Sequence, residues 1–364
     1  MINISKPSIG QEEINLVTKA LESGWVSSQG PFIKEFEERM ASFCGTKHCV
    51  LVANGTVAIH LALLVLKIGP GDEVIVPDLT FVATANAVKM AGATPVFADV
   101  SKDTWCIDPE DVRRKITQHT KAVIPVHLYG FPANMDSLMT IAKEFSIHII
   151  EDAAEAHGAI YHGKSVGGFG AMATFSFFGN KIITTGEGGA ITTDSDDYAE
   201  YARFLRDHGM SRTKRYWYEE VGYNYRMTNL QAALGVAQIN QIHNFIMERD
   251  NIINEYKKHL EPAGLILNPI APQIRPVNWI TCVLLDKPDS IIRDKILAEL
   301  KNFGIETRPF FYPITSLPMY KNNVNSVSEN LSARGLNLPT FAGISKEQIK
   351  FISRNLIDAI SKHS

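Results

Sequence analysis

Short apolar runs alternate with helical stretches between about residues 50 and 190, and this alternation constrains the fold more than any other feature. Each run has a continuous apolar core, and the runs are "CVLVAN" (49–54), "EVIVPDLTF" (73–81), "TPVFADV" (94–100), "KAVIPVHLYG" (121–130) and "IHIIEDAAEA" (147–156). Such runs are typical of strands that lie in a parallel sheet with both faces covered by helices. The sequence therefore predicts an α/β fold with a mostly parallel central sheet flanked by helices.

The length of the chain, 364 residues, predicts more than one domain. Near residue 245 the sequence changes from alanine-rich and apolar to charged, and we place the boundary there. The prediction is a large domain at 1–245 and a smaller α+β domain at 246–364. Within the smaller domain we expect a strand at 278–286, an amphipathic helix at 290–304, and a last helix that begins with a serine cap.

Composition and charge exclude several classes of protein. Hydrophobic residues make up 45% of the chain and charged residues 21%, which are ordinary values for a globular protein. The 36 basic and 39 acidic residues give a net charge of -3, which does not favour binding to nucleic acid. We find no signal-peptide core and no apolar run long enough to span a membrane. The four cysteines lack metal-finger spacing, so we expect free thiols and a cytoplasmic protein.

The stretch "FSFFGNKIITTGEGG" (175–189) places Lys181 between an apolar run and a loop with three glycines. A lysine beside a strand is most often a solvated residue that protects a sheet edge from pairing. The alternative is that the amine of Lys181 is a nucleophile. The stretch by itself does not decide between these two interpretations.

Three further features each have two interpretations. Asp152 ends an apolar strand, where ligands of open α/β sheets bind, but aspartate is also a common helix cap. Gly55 and Thr56 open a helix whose free N–H groups bind phosphate readily, although a routine helix start has the same sequence. Phe81 follows another strand, either as a core residue or as a ring that stacks on a planar cofactor. No HExxH, CxxC or EF-hand spacing occurs, so we expect no metal centre.

Together these residues match the four requirements of pyridoxal 5'-phosphate (PLP). Its aldehyde needs a lysine amine, its pyridine nitrogen a carboxylate, its phosphate a helix N-terminus, and its ring an apolar face. Lys181, Asp152, the helix start at Gly55 and Thr56, and Phe81 supply one each. Unrelated caps and core residues explain this combination less well than a PLP site does.

The chain also resembles the nucleotide-sugar aminotransferases of the DegT/StrS type. The motifs that carry the resemblance occur in order along nearly the whole chain, and they are "NGTVAIHLAL" (54–63), "EDAAEAHGA" (151–159), "FSFFGNKIITTGEGG" (175–189), "VGYNYRMTNLQAA" (221–233) and "ETRPFFYPI" (306–314). The resemblance implies the fold of type I PLP-dependent enzymes, with a mostly parallel sheet and a smaller C-terminal domain. It also implies transfer of an amino group from L-glutamate to a nucleotide-linked keto sugar, for O-antigen or other polysaccharide biosynthesis.

The resemblance further implies a role for residues at the motif positions. Lys181 stands where the family attaches the cofactor, and Asp152 stands where a carboxylate holds the pyridine nitrogen. The other implied cofactor contacts are Gly55, Thr56, Val57, Phe81, Glu155 and Ser176. Asn224 matches a residue that reaches the cofactor phosphate of the partner subunit, which implies a homodimer with shared active sites. His157 and Arg308 match contacts to the sugar or the nucleotide.

The substrate stays open within this reaction class. Overall likeness favours GDP-4-keto-6-deoxymannose, aminated at C4, while UDP-linked or dTDP-linked keto sugars and amination at C3 are alternatives. A PLP-dependent sugar dehydratase is a further alternative, but its deoxygenating members carry a histidine in place of the lysine, so Lys181 argues against it. A cofactor-binding regulator is the last alternative, and nothing in the chain resembles an appended DNA-binding domain.

Overall fold

The computed structural model describes residues 1–321 and 325–363. Its helices are α1 (Gln11–Glu22), α2 (Pro31–Cys44), α3 (Gly55–Val65), α4 (Ala83–Met90), α5 (Pro109–Lys115), α6 (Met135–Phe145), α7 (Asp196–Leu205), α8 (Asn229–Asn240), α9 (Ile242–Leu260), α10 (Ser290–Asn302), α11 (Ser326–Arg334) and α12 (Lys346–His363). Its strands are β1 (His48–Val52), β2 (Glu73–Pro77), β3 (Thr94–Ala98), β4 (Thr120–Val123), β5 (His148–Asp152), β6 (Ile160–Tyr161), β7 (Lys164–Ser165), β8 (Met172–Ser176), β9 (Gly189–Thr193), β10 (Ile266–Leu267), β11 (Ile274–Arg275), β12 (Thr281–Leu284), β13 (Arg308–Pro309) and β14 (Gly335–Leu338).

Within the described residues, seven strands form the central sheet in the order β1-β9-β8-β5-β4-β2-β3. The neighbours from β3 to β8 pair in parallel, whereas β9 is antiparallel to both β8 and β1. All the strands of this sheet except β9 therefore run in the same direction. The prediction of an α/β fold with a mostly parallel central sheet is confirmed.

Both faces of the central sheet are covered by helices. Val74 and Val76 of β2 belong to a core that includes residues of α3, α4 and α7. Ile75, which lies between them, belongs to a second core with residues of α2, α6 and α8. Alternate residues of a strand point to opposite faces, so a continuous apolar run fills both cores at once. Because the faces are closed, the ends of the strands are where a ligand can approach the sheet.

The C-terminal part of the chain has its own four-stranded sheet, in the order β10-β12-β14-β13, and its own core. The predicted strand at 278–286 contains β12, and the predicted helix at 290–304 contains α10. Ser345 caps α12, since its Oγ accepts a hydrogen bond from the Gln348 N–H at 3.2 Å. These three elements agree with the prediction.

The domain boundary near residue 245 stays a prediction. Helix α9 passes through this position without a break. Phe245, near its start, belongs to the core beneath the central sheet, whereas Tyr256 and Leu260, near its end, belong to the C-terminal core. Residues 322–324 and 364 of the predicted second domain lie outside the described residues.

Two further findings concern the chain as a whole. All four cysteines are buried and carry free thiols, as the sequence predicts. No helix in the described ranges combines the length and the apolar character needed to cross a lipid bilayer.

Asp78 links the end of β2 to the C-terminal part of the chain. Its buried carboxylate accepts hydrogen bonds from the N–H and the hydroxyl of Thr315, both at 2.8 Å, and from the Asn325 amide at 3.0 Å. Its backbone carbonyl accepts the N–H of Ile314, also at 2.8 Å. A buried carboxylate is stable only when donors of this kind replace its water. The position of residues 314–316 against the sheet therefore depends on this side chain.

We expect Asp78→Ala to lower the free energy of unfolding by about 3 kcal/mol, because the donors of Thr315 and Asn325 are left away from water without an acceptor. Chemical denaturation followed by circular dichroism measures the change. Asp103 is exposed and serves as the matched control, since Asp103→Ala is expected to change stability by less than about 0.5 kcal/mol. Equal stability of the two variants would contradict the role assigned to Asp78.

Candidate active site

A cavity of about 580 Å³ opens at the carboxyl ends of β2, β5 and β8. Its size lies within the range of small-molecule sites in proteins. The C-terminal part of the chain supplies the opposite wall through Trp279, Arg308 and Phe311. The cavity therefore lies between the central sheet and the C-terminal sheet.

Most of the site residues that the sequence predicts lie together on this cavity. The predicted residues that line it are Gly55, Thr56, Val57, Phe81, Asp152, Glu155, Ser176, Lys181 and Arg308. They come from chain positions far apart. The parallel strands bring together all of them except Arg308, because the carboxyl ends of these strands meet at one edge of the sheet. Asn224 and His157 do not belong to the lining.

Asp152 is the last residue of β5, and its side chain is buried. The Thr84 hydroxyl donates a hydrogen bond to its Oδ2 at 2.8 Å, and the Ala154 N–H donates to its Oδ1 at 3.2 Å. Turns follow the strand, so the interpretation of Asp152 as a helix cap is wrong. Burial raises the pKa of Asp152, and the hydrogen bond from Thr84 opposes this shift. Within the described residues, no lysine, arginine or histidine forms an ion pair with this carboxylate.

Lys181 lies in the loop between β8 and β9, and its side chain is only 12% exposed. Its Nζ lies 3.6 Å from Oε1 of Glu155 and 4.1 Å from the centre of the Trp279 ring. The indole N–H of Trp279 donates to the carbonyl of Asn180, the residue before the lysine, at 2.7 Å. Because Lys181 is neither in a strand nor solvated, its interpretation as a residue that protects a sheet edge is wrong.

Glu155 is also buried beside the cavity. Its Oε2 accepts the N–H of Tyr129 at 2.8 Å. Burial raises the pKa of Glu155, and the positive charge of Lys181 is the main influence in the opposite direction. Tyr129 has a left-handed backbone, with φ of 54°, and its ring stacks on Phe311 at 5.5 Å. A tyrosine rarely adopts this conformation, so the surrounding packing has to hold it there.

The start of α3 forms a polar corner of the cavity. Asn54 caps the helix, because its Oδ1 accepts the N–H of Val57 at 3.0 Å. The N–H groups of Gly55 and Thr56 precede the first bond within the helix and lie at the cavity. A Cβ added to Gly55 would lie 2.7 Å from the Cβ of Ser176, so only glycine allows β8 to approach so closely. Backbone N–H groups and a serine hydroxyl therefore converge where an anion binds well.

The glycine-rich end of the stretch at 175–189 contacts this same helix start. A Cβ added to Gly189 would lie 2.5 Å from the backbone carbonyl of Asn54. Glycine at this position therefore serves the packing of β9 against the residues that precede α3.

Phe81 and Arg308 lie at the outer part of the cavity. The Phe81 side chain is 56% exposed, and its ring centre lies 5.9 Å from that of Phe311. The interpretation of Phe81 as a core residue is therefore wrong. Arg308 begins β13 and is exposed, with its guanidinium 3.5 Å from Glu306. Both side chains are free to contact a ligand that enters from solvent.

His157 is fully buried, with ring centres of Phe175 and Phe177 at 5.3 Å and 5.7 Å. Burial lowers its pKa to about 3, so the ring is neutral near pH 7. The structure does not support the predicted contact of His157 with a sugar, because the ring has no surface on the cavity.

Asn224 lies on the surface of the chain, outside the cavity. It is exposed, and its Oδ1 accepts hydrogen bonds from the guanidinium of Arg226 at 3.2 and 3.3 Å. Asn224 therefore does not contact the cavity of its own chain.

Several cavity residues were not predicted. Thr84 lies three residues after Phe81, near the start of α4, and this short spacing could have indicated it. Tyr129 and Trp279 had no such signal. Trp279 belongs to the C-terminal part of the chain, and only its position beside Lys181 in the folded structure identifies it.

Glu151, the carboxylate next to Asp152, has a structural role. It is fully buried and accepts hydrogen bonds from Nε2 of His127 at 3.1 Å and from the N–H groups of Gly167 and Phe169 at 2.9 and 2.6 Å. Neighbouring strand residues point to opposite faces, so only one of the two carboxylates reaches the cavity. Glu151 instead fixes the loop that leads into β8.

Comparison with known proteins agrees with this geometry. Residues 7–356 match the DegT/DnrJ/EryC1/StrS aminotransferase family. A GDP-perosamine synthase of Caulobacter vibrioides is 44% identical over 353 residues, which is 96% of this chain and 95% of that protein. A GDP-perosamine synthase of Escherichia coli O157:H7 is 41% identical over 357 residues, which is 98% of this chain and 97% of that protein.

A solved structure is similar over the full length. The PLP form of Spr1654 from Streptococcus pneumoniae has a TM-score of 0.94 and 28% identity, and the match covers 100% of this chain and 99% of that one. The family match and the two relatives each extend over nearly the whole chain. The chain therefore belongs to the DegT/DnrJ/EryC1/StrS aminotransferase family.

Proposed function

We propose that this chain is a PLP-dependent aminotransferase that transfers the amino group of L-glutamate to the 4-keto group of GDP-4-keto-6-deoxy-D-mannose and forms GDP-perosamine. One observation carries the reaction class: the amine of Lys181 and the buried carboxylate of Asp152 lie on one cavity with the start of α3. The relatives from C. vibrioides and E. coli O157:H7, both named GDP-perosamine synthase, support the GDP-linked substrate.

The residues on the cavity fit PLP. Asp152 is a buried carboxylate without an ion-pair partner in the described part of the chain, and a protonated pyridine nitrogen is a cationic N–H donor that would complete it. The N–H groups of Gly55 and Thr56 and the hydroxyl of Ser176 suit a phosphate. Lys181 supplies the amine that an aldehyde requires. Spr1654, which has a solved PLP form, supports this cofactor.

Each residue then has a defined task. When bound, PLP supplies an electron sink that stabilises negative charge on the α-carbon of the amino donor. Asp152 holds the proton on the pyridine nitrogen, and Thr84 orients Asp152 through its 2.8 Å hydrogen bond. The Nζ of Lys181 would take the proton from the α-carbon of glutamate as general base, and glutamate would leave as 2-oxoglutarate. As general acid it would then deliver a proton to C4 of the sugar, whose keto oxygen leaves as water.

The remaining residues serve binding. Val57 and Phe81 line the cavity and would offer apolar surface to the cofactor, and Glu155, which also lines it, would lie beside the cofactor ring. The exposed guanidinium of Arg308 provides positive charge for the anionic nucleotide sugar. Because His157 has no surface on the cavity, we do not assign it to substrate binding.

We further propose that the enzyme is a homodimer in which Asn224 completes the phosphate site of the partner subunit. Asn224 is exposed and lies outside the cavity of its own chain. The segment just before it carries large exposed side chains, which are Tyr216, Trp217, Tyr218 and Val221. Exposed apolar groups of this size are typical of surfaces that bind another protein.

A substrate panel tests the proposed reaction. The purified protein with PLP and L-glutamate is mixed with GDP-, UDP- and dTDP-linked 4-keto-6-deoxy sugars, and the aminated product is identified by mass spectrometry and NMR. We expect GDP-perosamine as the main product. Turnover of only UDP- or dTDP-linked sugars would overturn the proposed substrate and leave the proposed reaction class standing. The absence of any amino transfer would overturn both proposals.

Lys181→Ala tests the catalytic lysine. We expect the variant to lose the visible absorbance of the covalently attached cofactor and to lose at least about 10³-fold in transamination, because the described cavity lining contains no second lysine. Lys34→Ala is the control, since Lys34 is 84% exposed and pairs only with Glu38 in the described chain. Turnover near that of the unmodified protein would refute the role of Lys181.

Mixed dimers test whether the active sites are shared. Asn224→Ala alone should weaken cofactor binding by about 10- to 100-fold, the value of one hydrogen bond to a charged group. The Asn224→Ala and Lys181→Ala chains are then mixed under conditions in which dimers exchange subunits. The mixture should have more activity than the summed activities of the two variants, because one site of each mixed dimer is complete. A mixture of Asp152→Asn and Lys181→Ala is the control, since both residues belong to the same chain's site and no complete site forms. Absence of recovery in the first mixture would contradict shared sites.

A further inference from the structure

We propose that Glu155 and Trp279 form a cradle that holds the Lys181 amine whenever this lysine is not bonded to the cofactor. Both are positioning residues that act through Lys181, and the catalytic use of the cradle rests on the proposed function. The cradle is defined by the carboxylate of Glu155 and the indole face of Trp279, both of which contact Nζ.

The amine contacts two groups that are themselves fixed. The Nζ of Lys181 lies 3.6 Å from Glu155 Oε1 and 4.1 Å from the centre of the Trp279 ring. The Tyr129 N–H holds Glu155 at 2.8 Å, and the carbonyl of Asn180 holds the indole N–H at 2.7 Å. Since both supports are backbone atoms, the cradle keeps its shape when the lysine leaves it.

The charged groups around Lys181 differ in whether they can pair with its amine. The positive charge of Lys181 opposes the effect of burial on the pKa of both Asp152 and Glu155. Burial lowers the pKa of His157 to about 3, so this ring stays neutral. Asp152 already receives hydrogen bonds from Thr84 and Ala154 and lies farther from the amine than the ion-pair distance of 4.0 Å. Glu155 is therefore the carboxylate that pairs with the lysine.

Under the proposed function, Asp152 and Glu155 have separate partners. A bound pyridine nitrogen would take Asp152 as its carboxylate, and the released lysine would then depend on Glu155. An ammonium group that is removed from water without a partner is unstable, and an aromatic face adds attraction to a cation. A lysine side chain is long and flexible. The contacts with Glu155 and Trp279 would therefore limit the movement of Nζ between its two proton transfers.

Chemical labelling of the full chain, freed of cofactor, tests the cradle without substrate. An amine-reactive anhydride is added near pH 7, and peptide mass spectrometry compares the labelling rate of Lys181 with that of the exposed Lys143 in the same sample. The amine has to leave its two contacts before it can react, since Nζ lies 3.6 Å from the Glu155 carboxylate and 4.1 Å from the centre of the Trp279 ring. We therefore expect Glu155→Gln, which keeps the shape of the side chain, to raise the relative rate for Lys181 about tenfold, because a neutral amide holds the lysine less strongly than a carboxylate does.

Further variants separate the cradle from other causes. Glu155→Asp keeps the charge and should label more slowly than Glu155→Gln. Trp279→Leu should raise the relative rate, and Trp279→Phe, which keeps an aromatic face, should raise it less. Glu187→Gln is the matched control, because Glu187 lines the same cavity but is exposed and forms no ion pair with Lys181 in the described chain.

Two results would overturn the cradle. One is labelling of Lys181 at the unmodified rate in both Glu155→Gln and Trp279→Leu. The other is an equal increase in Glu187→Gln, which would indicate a general effect of charge on the cavity. The rate for Lys143 and the circular dichroism spectrum report whether each variant is folded, and Trp279→Phe replaces Trp279→Leu if the latter is not. Because no sugar is present, failure of the cradle and failure of the proposed substrate are separate outcomes.

Discussion

The active site depends on a buried carboxylate that has no cationic partner of its own in the described part of the chain. Asp152 ends β5, burial raises its pKa, and the hydrogen bonds from Thr84 and Ala154 oppose only part of that effect. Such a group is most stable when a cation reaches it from the cavity. Lys181, whose amine lies on the same cavity, pairs instead with Glu155. One of the two buried carboxylates thus pairs with the lysine, and the other stays available to a cationic group of a ligand.

The fold keeps this arrangement in place from two sides. Helices close both faces of the central sheet, so the strand ends are the place where polar groups can meet a ligand. The C-terminal part of the chain closes the cavity through Trp279 and Phe311. Asp78 helps to hold that part against the sheet by accepting hydrogen bonds from Thr315. A substitution far from Lys181 can therefore alter the cavity by moving its second wall.

Much of the fold and part of the site could be predicted from the sequence. The continuous apolar runs indicated buried parallel strands, because only a sheet covered on both faces accepts them. Lys181 and Asp152 were identified by their positions after such runs, although each had an ordinary alternative as a sheet-edge residue or a helix cap. Phe81 alone indicated a core residue, and the structure exposes more than half of its side chain. Local pattern cannot resolve such alternatives, since burial is set by residues distant in the chain.

The sequence by itself determined the class of fold, the family and the residues with the chemistry that PLP requires, because these follow from periodicity and from motifs of neighbouring residues. Only the tertiary structure decided that Trp279 faces Lys181, that Glu155 pairs with its amine, and that His157 is enclosed away from the cavity. These contacts join residues that are separated along the chain or that point to different sides of one strand or turn. Their distances result from how the sheets and helices pack, and no local pattern of residues encodes them.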